Sequence, residues 1–324
     1  MDTTETAPLR SAPVSEARGR RWRRFRNSDL APALVFLSPW IIGFIWFQVY
    51  PICAAIYYSL TAYNLMRPPK FIGLANYQQL FGNDPLFRQA LVHSAIYALV
   101  SVPLDLCVAF VFACLLNLKI PGRAIFRAAF YFPVVVPTVA TSILWVMLLN
   151  TQGGLVNVAL SVLHIPAIPW LTSPNWTMPA LILLSVWTIG PPIIIFLAGL
   201  QDVPKELYEV ATIDGAGPLG LVRHVTIPLI SPVILFNLVI GVIAAGQIFA
   251  QPLVIFSTTV SNTGSADIGG PLNSVLMYSV QLYYEAFQQF NMGYAAAMAW
   301  ILFAILAIFS VVAMRLSNRI VHYE

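Results

Sequence analysis

Six windows of apolar residues, each about as long as a helix needs to cross a ~30 Å hydrocarbon layer, recur along this 324-residue chain. They fall at roughly 30–60, 91–117, 128–150, 177–200, 229–256 and 294–316. Inside a bilayer every backbone N–H and C=O must be satisfied within the protein, which leaves helices or a closed barrel, and windows this long suit helices. The expected class is therefore all-α: a polytopic membrane protein with six transmembrane helices. Charged residues supply 9% of the chain, against ~25% in a soluble domain.

Charge sets the expected orientation. Residues 1–29 are polar and carry Arg18, Arg20, Arg21, Arg23, Arg24 and Arg26, which reads as a basic cytosolic tail. The apolar run that starts at Leu30 and continues almost to Leu60 exceeds the ~7–15 residues of a signal-peptide core, so it reads as an uncleaved first span. Pro39, Gly43 and Pro51 predict kinks in it. With the N-terminus inside, 14 of the 17 Lys and Arg fall in cytosolic segments, and only Arg67, Lys70 and Arg88 fall outside. The positive-inside rule then puts both termini in the cytosol, with 57–90, 151–176 and 257–293 outside. The membrane domain is expected over 30–318 and a short cytosolic end over 319–324. The net charge of +4 is topological, because the arginines flank apolar spans; no nucleic-acid partner follows from it, and lipid is the surround.

Between the fourth and fifth windows lies DVPKELYEVATIDGAGPLGLVRHVTIPLISP, residues 202–232, a charged helical stretch between two apolar ones. Asp202 reads as a helix N-cap with Pro204 in the first turn. Val203, Leu207, Val210 and Ala211 make one apolar stripe, and Lys205, Glu206 and Glu209 lie off it. Gly215, Gly217 and Pro218 then stop the helix in a tight turn before a second short run, Leu219 to Val225. The pattern alone fits either an amphipathic helix on the membrane surface or a docking hook.

Residue identity narrows that choice. Glu209-Val210-Ala211, Asp214-Gly215-Ala216 and Val225-Thr226-Ile227-Pro228 resemble the EAA motif of ABC importer permeases, with Val210 and Ile227 as apolar departures from it. Phe71-Ile72-Gly73-Leu74-Ala75-Asn76-Tyr77 resembles an element of sugar-type members. The run Gly269 to Ser274, with Ala286-Phe287 and Met292 to Ala297, is similar to the larger maltose and glycerol-phosphate permease subunits. The resemblance covers about 30–318 and implies the membrane subunit of a binding-protein-dependent ABC importer for a di- or oligosaccharide or a related polyol. It implies that residues 202–228 form a coupling helix region, with Glu206, Glu209, Ala211, Asp214, Gly215, Ile227 and Pro228 meeting a cytosolic ABC ATPase dimer. It also implies a second permease subunit forming a heterodimer, an extracytoplasmic solute-binding protein, and a multi-pass place in the bacterial cell membrane.

No chemistry is expected in the chain itself. A P-loop needs Gly directly before its Lys, and Lys70, Lys119 and Lys205 follow Pro69, Leu118 and Pro204. ATP and Mg are thus expected on the ATPase partner, and no cofactor here. Cys53, Cys107 and Cys114 sit in apolar stretches without a second ligand at metal spacing, so no metal site is expected.

Two intramembrane features remain. Asp105 sits mid-window, where a carboxylate costs about 2.5–3.5 kcal/mol on insertion scales, so it must face protein or water. Ser94, Ser101 and Ala109 share its face, and the residue is either a protonated or hydrogen-bonded packing group between helices or part of a solute path. Asn237, Gln247 and Gln251 fall on one strip of the fifth window near Gly241 and Ala244, with Phe249 or Trp187 as candidate stacking faces. Amides offer sugar hydroxyls donors and acceptors without a charge to desolvate; the other reading is glue between permease subunits. A secondary transporter driven by an ion gradient is the alternative function, and one intramembrane carboxylate is thin support for it.

The orientation is testable. A reporter active only outside the membrane, fused after Tyr323, is expected to stay silent; strong activity there would contradict an even number of spans.

Overall fold

The computed structural model describes residues 30–118, 121–263 and 268–320. The basic tail expected over 1–29 and the last residues of the expected 319–324 end lie outside them. By contacts the chain divides into two units at Tyr57/Tyr58. The first holds helix α1 (Leu30–Phe44), a π turn (Ile45–Val49) and most of α2 (Tyr50–Ser59). These run as one continuous helix, Pro32–Ser59. The π turn ends just before Pro51, the residue with no N–H to continue the ladder.

The second unit departs at once from an all-α chain. Strands β1 (Thr61–Asn64) and β2 (Arg67–Phe71) pair antiparallel with Thr61 opposite Phe71 and a bulge between Ala62 and Asn64. Two prolines and no alternation conceal this hairpin in the sequence, since its pairing is local and its faces are not buried as a set. Helix α3 (Ala75–Asn83) follows, and its Asn76 donates to the carbonyls of Ser59 (2.8 Å) and Thr61 (3.0 Å). Tyr77 adds a bond to the Ser59 hydroxyl at 2.9 Å. Asn76 and Tyr77 of the Phe71–Tyr77 element therefore fasten a helix end to a hairpin.

Helix α4 (Pro85–Asn117) is the central post. Its Ala90, Ser101, Ala109 and Ala113 are buried, small side chains that let neighbours approach. Against it pack α8 (Pro174–Trp187), α9 (Gly190–Asp202) and α13 (Ser231–Gly246). One apolar cluster joins Tyr97, Trp145, Leu181, Leu184, Phe256 and Met277; a second joins Leu116, Ile193, Phe196, Leu200 and Ile230.

Among the described residues four helices are long and apolar enough to cross a membrane, or up to six if each of two bent pairs counts as one crossing. The first bent pair, α5 (Arg123–Val135) and α6 (Thr138–Leu148), turns by 98°, so the window at 128–150 is not one straight helix. Pro137 forces the extended backbone seen at Val136, φ −74° and ψ 130°. The second, α8 and α9, bends by 47° before Gly190-Pro191-Pro192. The bend is pinned from outside, because a Cβ on Gly190 would lie 2.6 Å from the Phe130 carbonyl oxygen of α5.

Helix α7 (Leu155–Val162) is followed by a Pro/Trp-rich loop. Asn157 organises that loop: its amide bonds Ile168 O and Asn150 O, and its Oδ1 accepts from Ile168 N and Trp170 Nε1. After α14 (Ala250–Thr263), Asn273 Oδ1 closes a turn on Gly269 N, and Thr177 meets Ser274 at 2.8 Å. Helix α15 (Tyr278–Tyr283) and a π turn lead to α16 (Met292–Ile320). Tyr278 is fully buried, and burial pushes its phenol up, so its hydroxyl stays protonated and donates to Met298 O at 2.8 Å.

Where α16 meets the hairpin the approach is closer than any side chain allows. A Cβ on Gly293 would stand 2.1 Å from Thr61 O, whereas one on Gly82 would meet nothing within 4 Å. Gly293→Ala is expected to cost about 2 kcal/mol or more, seen as a drop of several degrees in melting temperature in detergent, with Gly82→Ala near neutral. Equal melting of the two variants would show that the hairpin does not rest on α16.

Candidate functional site

Three helix interruptions meet in the second unit: the start of α6 after Pro137, the α8/α9 break at Thr188–Ile189, and a break between α13 and α14 at Gln247–Phe249. Each has a local cause. Pro137 and the Pro191-Pro192 pair lack N–H groups, and Pro252 removes the donor that Ile248 O would otherwise receive. Thr138, Thr188, Ile189, Gln247, Ile248 and Phe249 all line one cavity of about 610 Å³. Freed backbone groups are tolerated at membrane depth where they face a cavity of this kind.

The cavity gathers the residues expected on a solute path. Asn237, Gln247, Phe249, Gln251, Gly241 and Ala244 all line it, and so does Asp105 from α4. Asn237 is buried and donates one amide hydrogen to Val233 O at 3.0 Å, which leaves its second N–H and its Oδ1 for a partner. Gln247 is exposed and Gln251 half-buried. Phe249 both lines the cavity and packs, its ring 5.1 Å from that of Tyr283. Trp187 is not part of the lining: it turns to Trp145, at 6.2 Å and near right angles.

Asp105 Oδ1 accepts from the Ser185 hydroxyl at 3.0 Å. The inward face expected around it is real, with Ser94, Ser101 and Ala109 all buried. Sequence reasoning missed Tyr97, Thr138, Ser185 and Thr188, which complete the polar wall. The signal for two of them was present, since Ser185 and Thr188 immediately precede Gly190-Pro191-Pro192, a helix stop inside an apolar window.

The hook is the second site. It begins later than expected: Asp202 is the last residue of α9, and the new helix, α10, runs Lys205–Ile213 with Pro204 at its N-cap. Pro204 disfavours helical backbone at Val203, which is extended at φ −68° and ψ 123°, so Asp202 cannot cap α10. Glu206 lies in the first turn, where the helix dipole favours a carboxylate. At the other end Gly215 adopts φ +85° and the Ala216 N–H closes on Ala211 O at 2.9 Å, a left-handed helix stop. The chain returns through α11 (Pro218–Leu221), a π turn (Val222–Thr226) and α12 (Ile227–Leu229).

The expected apolar stripe does not face inward as a whole. Val203 is buried, but Leu207 and Val210 are exposed, as are Ile213 and Leu219 at 85% and 80%. Tyr208 holds the hook instead: it packs in the second apolar cluster, and its hydroxyl is 3.1 Å from Thr226 Oγ1. Glu206, Glu209, Asp214, Gly215 and Ile227 are exposed, while Ala211 and Pro228 are half-buried.

Residues 105–322 match the family described as binding-protein-dependent transport system inner membrane component. The chain is 38% identical to a probable ABC transporter permease protein, YesP, of Bacillus subtilis, over 94% of this chain and 96% of that one. It is 30% identical to the arabinooligosaccharides transport system permease protein AraP of the same organism, over 98% of each. It is 33% identical to the lactose transport system permease protein LacF of Rhizobium radiobacter, over 87% and 90%. In fold it matches a chain of a bacterial ABC transporter that imports the acidic polysaccharide alginate, with TM-score 0.78 and 22% identity over 94% of this chain and 100% of that one. An ATP-driven transport subunit that works with an ATPase, a second permease and a binding protein thus replaces the ion-driven alternative. The chain belongs to the binding-protein-dependent transport system inner membrane component family, as a multi-pass permease subunit of an ABC importer.

Proposed function

We propose that this permease carries a di- or oligosaccharide through the cavity where its three helix interruptions meet. The observation that carries the reading is the cavity itself: about 610 Å³, walled by Asn237, Gln247 and Gln251 and faced by Phe249. Neutral amides exchange donors and acceptors with sugar hydroxyls, and an aromatic face suits the apolar side of a pyranose. The names of AraP and LacF, which refer to arabinooligosaccharides and lactose, support the substrate class. Discontinuous helices at a solute site also give natural pivots, because half-helices can tilt at a break without losing a continuous ladder. Six crossings with both termini cytosolic, each bent pair counted once, is the topology that goes with this reading.

The hook is the lever in the same scheme. Exposed Leu207, Val210, Ile213 and Leu219 present an apolar surface with Glu206, Glu209 and Asp214 beside it, a combination suited to docking in a cleft of the ATPase dimer. Tyr208 and its contact with Thr226 tie that surface to the membrane helices. ATP and Mg stay on the ATPase side.

Two outcomes follow. Gln247→Ala and Gln251→Ala are expected to leave the complex assembled, while each lowers uptake at least about fivefold in reconstituted vesicles, in line with ~1 kcal/mol per lost hydrogen bond. Loosened subunit assembly with unchanged uptake per complex would assign the strip to subunit contacts instead. Gly215→Val forces a β-branched residue to φ +85° in otherwise open space. It is expected to insert normally and to hydrolyse ATP without matching sugar uptake; failure to insert would make the hook a folding element.

A further inference from the structure

The charge of the cavity is not explained by the amide strip. Among the described residues that line it, Asp105 is the one charged group, and no Lys, Arg or His stands on the wall. The carboxylate is only half-buried, and Ser185 is its one hydrogen-bond partner among the described residues. Even that bond is shared, since the single hydroxyl proton of Ser185 also has Ile182 O within reach at 2.8 Å. A carboxylate offers about four acceptor sites, so most of its capacity opens onto the cavity. Ser101 stands one turn earlier on α4 and Tyr97 two turns earlier, both in the lining, and they set hydroxyl groups along the same wall. A group whose task was only to hold helices together would be enclosed between them; this one lies on a wall that faces Asn237 and the glutamines.

We propose that Asp105 is a specificity-determining residue of the cavity, accepting hydroxyl donors from a neutral saccharide and turning away saccharides that carry carboxylate or sulfonate groups. This rests on the reading of the cavity as the sugar path and extends it to a substrate class. The physics is asymmetric. A carboxylate with open acceptor sites takes vicinal hydroxyls well, whereas an anion brought beside it in a largely apolar wall meets like charge with no cation to offset it. A neutral Asn at the same place would keep the shape and lose the repulsion.

The test uses the assembled transporter in nanodiscs, with the binding protein left out so that its selectivity is not what is read. Ala244→Cys places a thiol on the exposed part of the lining, and its modification by a maleimide is followed by peptide mass spectrometry. Neutral probes are lactose, arabinotriose and galactotriose; acidic probes are lactobionate and trigalacturonate. With Asp105 present, the best neutral probe is expected to half-protect position 244 at a concentration roughly tenfold or more below the best acidic probe. Asp105→Asn is expected to bring that ratio to within about threefold of one, and Asp105→Glu, which keeps the charge, to retain the preference. Equal protection by neutral and acidic probes in the parent, or a ratio that Asp105→Asn leaves unchanged, overturns the proposal while the sugar path stands. Protection by no probe in any background removes the path and this proposal together.

Discussion

A helix broken inside hydrocarbon exposes carbonyl and amide groups that lipid cannot satisfy, and the arrangement of this permease follows from where those groups go. The interruptions at Val136–Pro137, Thr188–Ile189 and Gln247–Phe249 are not scattered through the bundle; residues beside all three line one cavity. Each break would be a cost by itself. Together they share a polar wall of Thr138, Thr188, Asn237 and Gln247, and in the proposed solute path a hydroxylated sugar between them supplies what lipid cannot. The central post, α4, remains unbroken through 33 residues and contributes the one charged side chain among the described residues of that wall.

The same economy operates at the two ends. Near the hairpin, Asn76 on the Ser59 and Thr61 carbonyls, Tyr77 on the Ser59 hydroxyl and the absent side chain of Gly293 beside Thr61 O tie β1 and the end of α2 to α3 and α16. At the hook, Tyr208 does the anchoring and leaves an apolar surface uncovered. Ile213 and Leu219 are exposed there, and the proposed docking on the ATPase would cover them.

Much of this was legible because charge and periodicity report burial. The face holding Ser94, Ser101, Asp105 and Ala109 follows from helical spacing alone, and so does the strip of Asn237, Gln247 and Gln251. Direction is another matter. An apolar window says that a segment avoids water but nothing of where it points, so the 98° turn within 128–150 was visible only as Pro137, one proline among 24. The hook was misread at its start for a related reason: Asp202 and Pro204 both signal a helix N-terminus, and only the restriction that Pro204 places on Val203 decides between them. The hairpin over 61–71 left no periodic trace because four or five residues with two prolines carry no pattern.

The bent pair also has a consequence for how the chain is assembled in time. Helix α5 has 13 residues and α6 has 11, about 20 Å and 17 Å of helix, so neither half alone matches a ~30 Å layer. A translocation channel would meet them as one apolar segment. A contact that joins the two broken pairs is the bare α-carbon of Gly190 against the Phe130 carbonyl, and Gly190 emerges from the ribosome about 60 residues after Phe130. The 98° turn is local to Pro137, but the packing of the second broken pair on α5 can form only once Gly190 has been made. Until then the cavity lacks the wall that Thr188, Ile189 and Pro191 supply.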